Sequence, residues 1–199
     1  GTNNYLNSID FADNNTGWVV GYVGTILKTT NGGTNWTLQS SGTTNGLQSF
    51  YFAENNTGWT VGENGTILKT TNGGTNWTLQ TGGTANYLWE VHFADNNIGW
   101  AAGDGGTILK TINGGTNWTP QTSGTTSRLE SVYFADNNTG FVVGGDIYDG
   151  TILKTTNGGT NWTPQTSVTT NYLESIFFAN NNTGWAVGDS GTILKTTNG

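Results

Sequence analysis

A nine-residue phrase that recurs along the chain constrains the fold more than any other feature of the sequence. The phrase TTNGGTNWT occupies Thr29–Thr37 and returns unchanged at Thr70–Thr78 and Thr155–Thr163. It returns with one substitution at Thr111–Thr119 and starts a fifth time at Thr196–Gly199. A fixed repeat marks a chain made of copies of one supersecondary unit. The architecture must therefore be one that places five equivalent units side by side.

The repeat period follows from a leucine that begins each unit. Its copies are separated by steps of 41, 41, 41 and 44 residues and are Leu6, Leu47, Leu88, Leu129 and Leu173. Each unit contains four short runs rich in Ile, Val, Phe, Trp, Tyr and Thr, with Gly- and Asn-rich sequences between them. Aromatic and β-branched residues favour strands, and Asn-Gly favours the tight turns of hairpins. We therefore predict four antiparallel strands per unit and no helical segment.

Four antiparallel strands in about 40 residues are typical of one β-propeller blade. A linear solenoid is the competing architecture, but its parallel coils usually have shorter periods. We predict an all-β fold, a five-bladed propeller with four-stranded blades of about 41 residues, whose last blade lacks its outer strand. We expect a single domain, residues 1–199, with repeat units 1–41, 42–82, 83–123, 124–167 and 168–199.

Two prolines indicate how the strands of a blade are ordered. Pro120 and Pro164 replace Leu38 and Leu79 in the fourth run. Proline removes a ladder hydrogen bond and is tolerated at sheet edges, so the fourth strand should be the outer edge and the first should line the central channel.

The 44-residue step comes from three extra residues within Gly144–Gly150, which we expect to lengthen a loop and leave the strands intact.

Composition excludes several classes of function. The chain has six basic residues and a net charge of −7, and its five lysines recur one per repeat instead of clustering. Nucleic-acid binding needs clustered Lys and Arg, so no nucleic-acid partner is expected. There is no cysteine for thiol chemistry, and no apolar run approaches the roughly 20 residues that span a membrane. We predict neither a cofactor nor membrane insertion.

The turn at Asp13–Gly17 alternates oxygen-bearing side chains in the manner of part of a calcium loop. It lacks the bidentate Glu that completes such a loop. A tight polar turn is therefore the favoured interpretation, and no metal site is predicted.

The recurring phrase resembles the Asp-box of BNR-type propellers, whose pattern is Ser/Thr-x-Asp-x-Gly-x-Thr-Trp. Thr29, Asn31, Gly33 and Trp36 fall on its key positions. Together with the flanking GWxVGxxGTILKTT, the repeat is similar to those of photosystem II stability/assembly factor-like proteins, over essentially the whole chain. This resemblance implies a secreted or lumenal propeller, hence an extracellular or periplasmic location, although this sequence contains no signal peptide.

The resemblance also implies a structural role for the boxes. The residues concerned are Asn31, Gly33, Trp36, Asn72, Gly74, Trp77, Asn113, Gly115, Trp118, Asn157, Gly159 and Trp162. Every copy carries Asn where the family usually has Asp. The Asn side chain can cap its own turn by accepting from backbone N–H groups two residues on, the glycines supply positive φ, and each Trp buries apolar area worth roughly 2–3 kcal/mol.

Comparison of the five units predicts one constant and one variable face. The first-to-second and third-to-fourth turns hardly differ, whereas the second-to-third turns and the residues beside the aligned leucine differ strongly. We name the second face the variable face and predict that it binds a ligand through Tyr5, Asn7, Tyr22, Gln48, Glu63, Tyr87, Trp89, Asp104, Arg128, Glu130, Tyr148, Tyr172, Glu174 and Asp189. We predict that a further variable series lies at the same end of the channel, namely Asp10, Tyr51, His92, Tyr133 and Phe177.

No enzyme is predicted. Sialidases hold a carboxylate with several arginines, and Arg128 is the only arginine here. Two-carboxylate glycosidases need their carboxyl groups about 5 Å or about 6.5–9.5 Å apart. The candidates Glu90, Glu130 and Glu174 lie in first strands, and we expect them to be solvated surface carboxylates.

Our leading hypothesis is a non-catalytic binding or scaffold propeller that recognises carbohydrate or protein through the variable face, because aromatic, Asn, Asp and Glu side chains suit both ligands. The family resemblance supplies the alternative, an assembly chaperone for a membrane complex. A designed or excised repeat array without a ligand is the third hypothesis, and neutral drift among surface loops would then explain the variable face.

The fifth phrase stops before a fourth strand. The last blade is therefore expected to have an open edge, which could self-associate, accept a strand from a partner chain by β-augmentation, or be completed by residues beyond 199.

Overall fold

Five antiparallel sheets follow one another along the chain in the computed structural model, which describes residues 1–53, 56–146 and 149–199. Blade 1 contains β1 (Leu6–Phe11), β2 (Gly17–Gly21), β3 (Thr25–Thr29) and β4 (Thr37–Gln39). Blade 2 contains β5 (Leu47–Phe52), β6 (Gly58–Gly62), β7 (Ile67–Thr70) and β8 (Thr78–Leu79). Blade 3 contains β9 (Leu88–Phe93), β10 (Gly99–Gly103), β11 (Ile108–Thr111) and β12 (Thr119–Gln121).

Blade 4 contains β13 (Arg128–Phe134), β14 (Gly140–Asp146), β15 (Asp149–Thr155) and β16 (Thr163–Pro164). Blade 5 contains β17 (Leu173–Phe178), β18 (Gly184–Gly188) and β19 (Thr192–Thr196). The strands of each sheet are hydrogen-bonded in chain order, and the last sheet has three strands. The predicted five-bladed propeller fold, with a last blade that lacks its outer strand, is confirmed.

The strands are ordered from the channel outward as the prolines predicted. The first strands of successive blades, β1, β5, β9, β13 and β17, pack against one another around the channel. Pro120 lies in β12 opposite Leu109, and Pro164 lies in β16 opposite Leu153, so both occupy outer strands. Short 3-10 turns join the second and third strands in three blades, at Glu63–Gly65, Asp104–Gly106 and Asp189–Gly191.

An aromatic stack joins each blade to the next. The buried ring of Trp59 in β6 lies over Phe93 of β9, with ring centroids 3.6 Å apart, and its Nε1–H donates to the carbonyl oxygen of Gly114 at 3.0 Å. Gly114 belongs to the box of blade 3. The same contact is made by Trp18 with Phe52 and Gly73, and by Trp100 with Phe134 and Gly158. In blade 4 Phe141 replaces the Trp and stacks on Phe178.

In blades 1 to 4 the lysine of the repeat adds to this blade-to-blade contact. Lys28 Nζ lies 5.3 Å from the centroid of the Trp18 ring and donates to the carbonyl oxygen of Gly73 at 2.7 Å. Lys154 Nζ donates to the carbonyl oxygen of Gly199 at 2.6 Å, so the truncated fifth box still receives its lysine. The even spacing of lysines in the sequence thus has a structural cause.

The first and fifth residues of each second strand are glycines because neighbouring atoms leave no room for a Cβ atom there. A Cβ at Gly99 would lie 2.5 Å from the ring of Phe93, which packs flat over the strand. A Cβ at Gly103 would overlap the carbonyl oxygen of Tyr87, the residue before the first strand. Any side chain at these positions would separate the two inner strands, which explains the recurring Gly-Trp-x-x-Gly pattern.

The insertion in blade 4 differs from its prediction. The three extra residues extend both strands of the hairpin, because Gly145 pairs with Gly150 and Asp146 pairs with Asp149. Pairing satisfies backbone groups that a longer loop would leave to solvent. The residues between them, including Tyr148, lie outside the described part of the chain.

The box turn is closed by different hydrogen bonds from those expected. Asn113 Oδ1 accepts from the backbone N–H of Asn117 at 3.0 Å, four residues on and not two, and from Thr111 Oγ1 at 3.0 Å. Thr111 Oγ1 accepts from the N–H of Gly115 at 2.8 Å. Asn31, Asn72 and Asn157 make the same bonds. The Asn side chain uses only its oxygen here, so amide and carboxylate are equivalent acceptors.

Candidate functional site

The variable face lies where the inner strands begin. In blade 3 the aligned Leu88 pairs with Gly103, and the N–H of Asp104 donates to the carbonyl oxygen of Tyr87 at 2.9 Å. The turn at Asp104–Gly106 therefore sits beside the residues that flank the leucine. Because the same register recurs in the other blades, side chains of turns and strand starts from successive blades converge at this end of the channel.

A tightly packed cluster occupies the variable face of blades 3 and 4. The rings of Tyr87 and Trp89 are stacked with centroids 4.2 Å apart, and Arg128 Cζ lies 3.8 Å from the centroid of the Trp89 ring. At these distances a phenol ring and a guanidinium group cannot share one face of an indole. Trp89 is therefore covered on both faces. Its Nε1–H donates to Asp104 Oδ1 at 2.7 Å.

Ion pairs and hydrogen bonds continue this cluster toward blade 5. Arg128 Nε donates to Asp104 Oδ1 at 3.0 Å, and a second guanidinium nitrogen lies 3.6 Å from Glu130 Oε2. The same Glu130 oxygen accepts a short hydrogen bond from the hydroxyl of Tyr172. Burial raises the pKa of Glu130, while the Tyr172 bond and the Arg128 charge act in the opposite direction. The guanidinium thus bridges two carboxylates.

Toward blade 2 the variable residues serve mainly to join neighbouring blades. The Tyr87 hydroxyl donates to Gln48 Oε1 at 3.1 Å. Glu63 Oε2 accepts from the N–H of Gly46 at 2.7 Å, and Asn7 Nδ2 donates to the carbonyl oxygen of Leu47 at 2.9 Å. Burial raises the pKa of Tyr87 to about 12, so its hydroxyl stays protonated at neutral pH.

Of the remaining predicted residues, Asp189 lines a cavity together with Arg128 and Tyr172, and its N–H donates to the carbonyl oxygen of Tyr172 at 2.9 Å. Tyr5 and Tyr22 of blade 1 meet edge to face at 5.9 Å, and both rings are exposed. Glu174 and Asp189 of blade 5 are exposed as well. We use the name six-residue cluster for the residues that the structure brings together: Tyr87, Trp89, Asp104, Arg128, Glu130 and Tyr172.

The second variable series lies toward the opposite end of the channel from the one that we predict. Tyr51 pairs with Trp59 and His92 pairs with Trp100, near the ends of the inner strands and toward the box face. His92 lies between two tyrosines, with ring centroids 5.4 Å from Tyr51 and 5.1 Å from Tyr133. Four residues of extended strand separate these positions from the aligned leucines, which is more than 10 Å.

His92 is a neutral channel residue at physiological pH. Its Nε2 lies 3.1 Å from the carbonyl oxygen of Phe134, and burial lowers its pKa to about 4 despite that contact. An imidazole with this pKa is a poor general base near neutral pH.

Glu90 is a partly buried channel residue and not the solvated carboxylate that the sequence predicts. One of its carboxylate oxygens accepts from the N–H of Val132 at 2.7 Å. Burial raises its pKa to about 7. The signal was present in the repeat, because the other four units carry serine at this position: Ser8, Ser49, Ser131 and Ser175.

The polar turns of the box face use their carboxylates internally. Asp13 Oδ1 accepts from the N–H groups of Asn15 at 2.7 Å and Thr16 at 2.8 Å. These backbone bonds lower the pKa of Asp13. Within residues 1–53, 56–146 and 149–199, no group of three or more His, Cys, Asp or Glu side chains is arranged to hold a metal ion.

The chain is similar to known propellers in sequence and in fold. The family described as Photosynthesis system II assembly factor YCF48 matches residues 1–82, 77–164 and 128–197. A structure of YCF48 bound to D1 peptide superposes with a TM-score of 0.76 at 22% identity, covering 98% of this chain and 63% of that chain. YCF48 from Cyanidioschyzon merolae superposes with a TM-score of 0.76 at 23% identity, covering 100% and 68%.

An enzyme has the same fold at lower identity. The GH74 enzyme of Niastella koreensis superposes with a TM-score of 0.77 at 18% identity, covering 94% of this chain and 35% of that one. No curated protein sequence matches the chain. The present chain thus spans 63% of the peptide-bound relative and a third of the enzyme, and at these identities the structures establish the fold alone.

Proposed function

The chain belongs to the Photosynthesis system II assembly factor YCF48 family, and from this premise we propose that it is a non-catalytic, assembly-factor-like protein that holds an extended segment of a protein partner on its variable face. The six-residue cluster carries the proposal. Its side chains come from three blades and are fixed by stacking and ion pairing before any partner arrives. Preorganised aromatic and Arg side chains are the usual anchors of protein interfaces.

The chemistry of the cluster favours peptide over carbohydrate. A sugar ring packs against an open aromatic face, and both faces of Trp89 are already covered by Tyr87 and Arg128. The partly exposed carboxylates of Asp104 and Glu130 remain as acceptors, which suit the N–H groups of an extended backbone. Carbohydrate recognition keeps one supporting observation, the exposed rings of Tyr5 and Tyr22 in blade 1.

The charge of the face indicates the kind of segment. Arg128 is the only basic residue on this face because all five lysines lie in third strands near the boxes, and two carboxylates neutralise it. The other acidic residues predicted on this face are Glu63, Glu174 and Asp189, and Asp189 lines a cavity with Arg128. A complementary partner segment would carry Lys or Arg together with apolar side chains. The relative bound to D1 peptide supports a peptide ligand as a class.

The absence of catalysis is part of the proposal. Glu130 is held by Tyr172 and Arg128, and Glu90 is held by the backbone of Val132. Neither arrangement leaves a free acid and base facing one ligand position. The family also supports a lumenal or periplasmic-like location. In the described part of the chain no helix is long and apolar enough to cross a membrane.

A synthetic peptide array probed with the purified chain tests the proposal, with basic, neutral and acidic versions of each sequence and with the D1 peptide. We expect selective binding of basic sequences. Trp89→Ala and Arg128→Gln should each weaken binding at least about tenfold, as for interface hot spots. Lys110→Gln is the matched control, because it removes one positive charge from the box-face end and should leave binding unchanged.

A glycan array probed in parallel separates the remaining hypotheses. Selective binding of sugars without peptides would overturn the proposal in favour of carbohydrate recognition. Binding in neither array would overturn it in favour of a repeat array without a ligand.

A further inference from the structure

Every internal blade is packed on two sides, whereas blades 1 and 5 each leave one side open. We call the surface that a blade turns to the next blade its leading face and the surface that it turns to the preceding blade its trailing face. In the described chain β1 and β17 are not among the strand pairs that pack extensively. The trailing face of blade 1 and the leading face of blade 5 are therefore uncovered.

These two open faces have the composition of a protein core. Ile9 on the trailing face of blade 1 is 61% exposed, whereas its counterpart Phe50 in blade 2 is 7% exposed. Ile193 on the leading face of blade 5 is 72% exposed, whereas its counterpart Ile67 is fully buried. Further exposed apolar residues on these faces are Leu6, Phe11 and Val187. In the internal contacts the equivalent residues form the hydrophobic clusters between blades.

The open faces also carry the two halves of the aromatic blade-to-blade contact. Blade 5 presents Trp185 with Lys195 Nζ 5.7 Å from its ring centroid, which repeats the pairs of blades 1 to 3. Blade 1 presents the ring of Phe11, already braced edge to face by Trp36 at 5.9 Å, beside the exposed backbone of Gly32. In the described residues no hydrogen bond joins Trp185 Nε1, Lys195 Nζ or the Gly32 carbonyl oxygen to a partner.

A polar pair on the variable face is split in the same way. The tyrosine before the aligned leucine reaches back to the residue after the leucine of the preceding blade: Tyr87 donates to Gln48 and Tyr172 donates to Glu130. Tyr5 is the equivalent donor in blade 1 and is 81% exposed. Glu174 is the equivalent acceptor in blade 5 and is also exposed.

We propose that the leading face of blade 5 binds the trailing face of blade 1 of a second copy of this chain. In this contact Trp185 stacks on Phe11 of the other copy and, with Lys195, donates to the Gly32 carbonyl oxygen. Tyr5 donates to Glu174 across the variable face. A second copy is the occupant because four internal contacts already show that these two faces fit each other.

The contact is head to tail, so it continues until the blade rotation closes a ring or it extends as an open array. It is distinct from pairing at the open edge of β19, because it uses side chains on the blade faces and not backbone groups. It also brings the variable faces of two copies into one continuous surface, through Tyr5 and Glu174.

Two single variants, each of which blocks one face, test the contact by light scattering and sedimentation over a range of concentrations. Ile9→Lys blocks the trailing face and Ile193→Lys blocks the leading face, and both residues are exposed enough for the fold to tolerate the change. We expect the wild-type chain to assemble beyond its 21.1 kDa mass as concentration rises. Each variant alone should remain a monomer, while an equimolar mixture should form dimers and nothing larger.

Leu79→Lys is the matched control, because it makes the same kind of change at an exposed residue of the outer strand and should leave assembly intact. Trp185→Phe should weaken assembly less than tenfold, since Phe141 makes the same stack in blade 4, whereas Trp185→Ala should weaken it more than tenfold. A monomeric wild type at every concentration would overturn the proposal. So would assembly that persists in both lysine variants, which would point to the open edge of β19.

Discussion

The two ends of the propeller channel differ in whether their contacts repeat from blade to blade. At the box face the turns close themselves, with Asn113 and Thr111 bonded to backbone groups of their own loop, and in blades 2 to 4 a Trp of the preceding blade donates to the turn. At the variable face the contacts do not repeat, and a side chain such as Arg128 depends on partners from neighbouring blades. Repetition thus provides stability at one end, and departures from repetition build a candidate binding surface at the other.

This division has a physical cause. A self-contained turn needs the same few residues wherever it occurs, so every copy is constrained alike. A cluster assembled across blades needs only that its members fit one another, so its residues can change while the scaffold beneath them stays intact. The comparison therefore predicts that losing a Trp that joins two blades near the box end costs more stability than losing a Trp at the variable end.

The largest expected effect comes from two tryptophans, one at each end. Trp100→Ala removes a fully buried ring that stacks on Phe134 at 3.4 Å, and should lower the free energy of unfolding by about 3–5 kcal/mol. Trp89→Ala removes a partly buried ring of the six-residue cluster and should cost about 1–2 kcal/mol. Denaturant unfolding of both variants measures the difference. Equal losses would contradict the division between the two ends.

The pH dependence of stability probes the channel between them. The pKa of Glu90 is about 7 in the fold and 4.5 in the unfolded chain, so between these pH values the folded chain keeps a proton that the unfolded chain has lost. Stability therefore falls as pH rises from 4.5 to 7. The pKa of His92 is about 4 in the fold and 6.5 in the unfolded chain, so between these pH values only the unfolded chain binds the proton. Stability therefore rises as pH rises from 4 to 6.5. The two contributions oppose each other where their windows overlap.

Single variants separate these contributions. Relative to the wild type, Glu90→Gln should make stability rise more steeply from pH 4.5 to 6.5, and His92→Phe should make it fall more steeply, each by up to about 1.4 kcal/mol per pH unit. Thermal or urea unfolding at several pH values measures both slopes. Unchanged slopes would mean that neither group is desolvated in the fold.

The smallest expected effects test whether the box turn is closed by an acceptor oxygen alone. Asn113→Ala removes the acceptor for Asn117 and Thr111 and should cost about 1–2 kcal/mol. Asn113→Asp keeps that acceptor and should change stability by less than about 0.5 kcal/mol. Urea midpoints of the two variants decide the point, and a large loss for Asn113→Asp would show that the amide nitrogen contributes.

The site was less predictable than the fold because it depends on contacts between units. Variable positions of successive units could be listed from the sequence, yet nothing in their spacing indicated that Arg128 would cover Trp89 while Asp104 bonds to both. The sequence also does not show how far along the channel a position lies. It predicts His92 and Tyr51 at the variable face, although both lie toward the other end of the inner strands.

The sequence by itself determined the number of blades, the order of their strands and the turns that end them. These features depend on the strand and turn propensities of neighbouring residues and on a pattern that recurs in every unit, so interactions within one unit are enough to determine them. Only the tertiary structure decided which side chains meet across blades, how far Glu90 and His92 are desolvated, and that the faces of blades 1 and 5 stay open. Those outcomes depend on how the blades lie against each other, and that arrangement is a property of the packed whole.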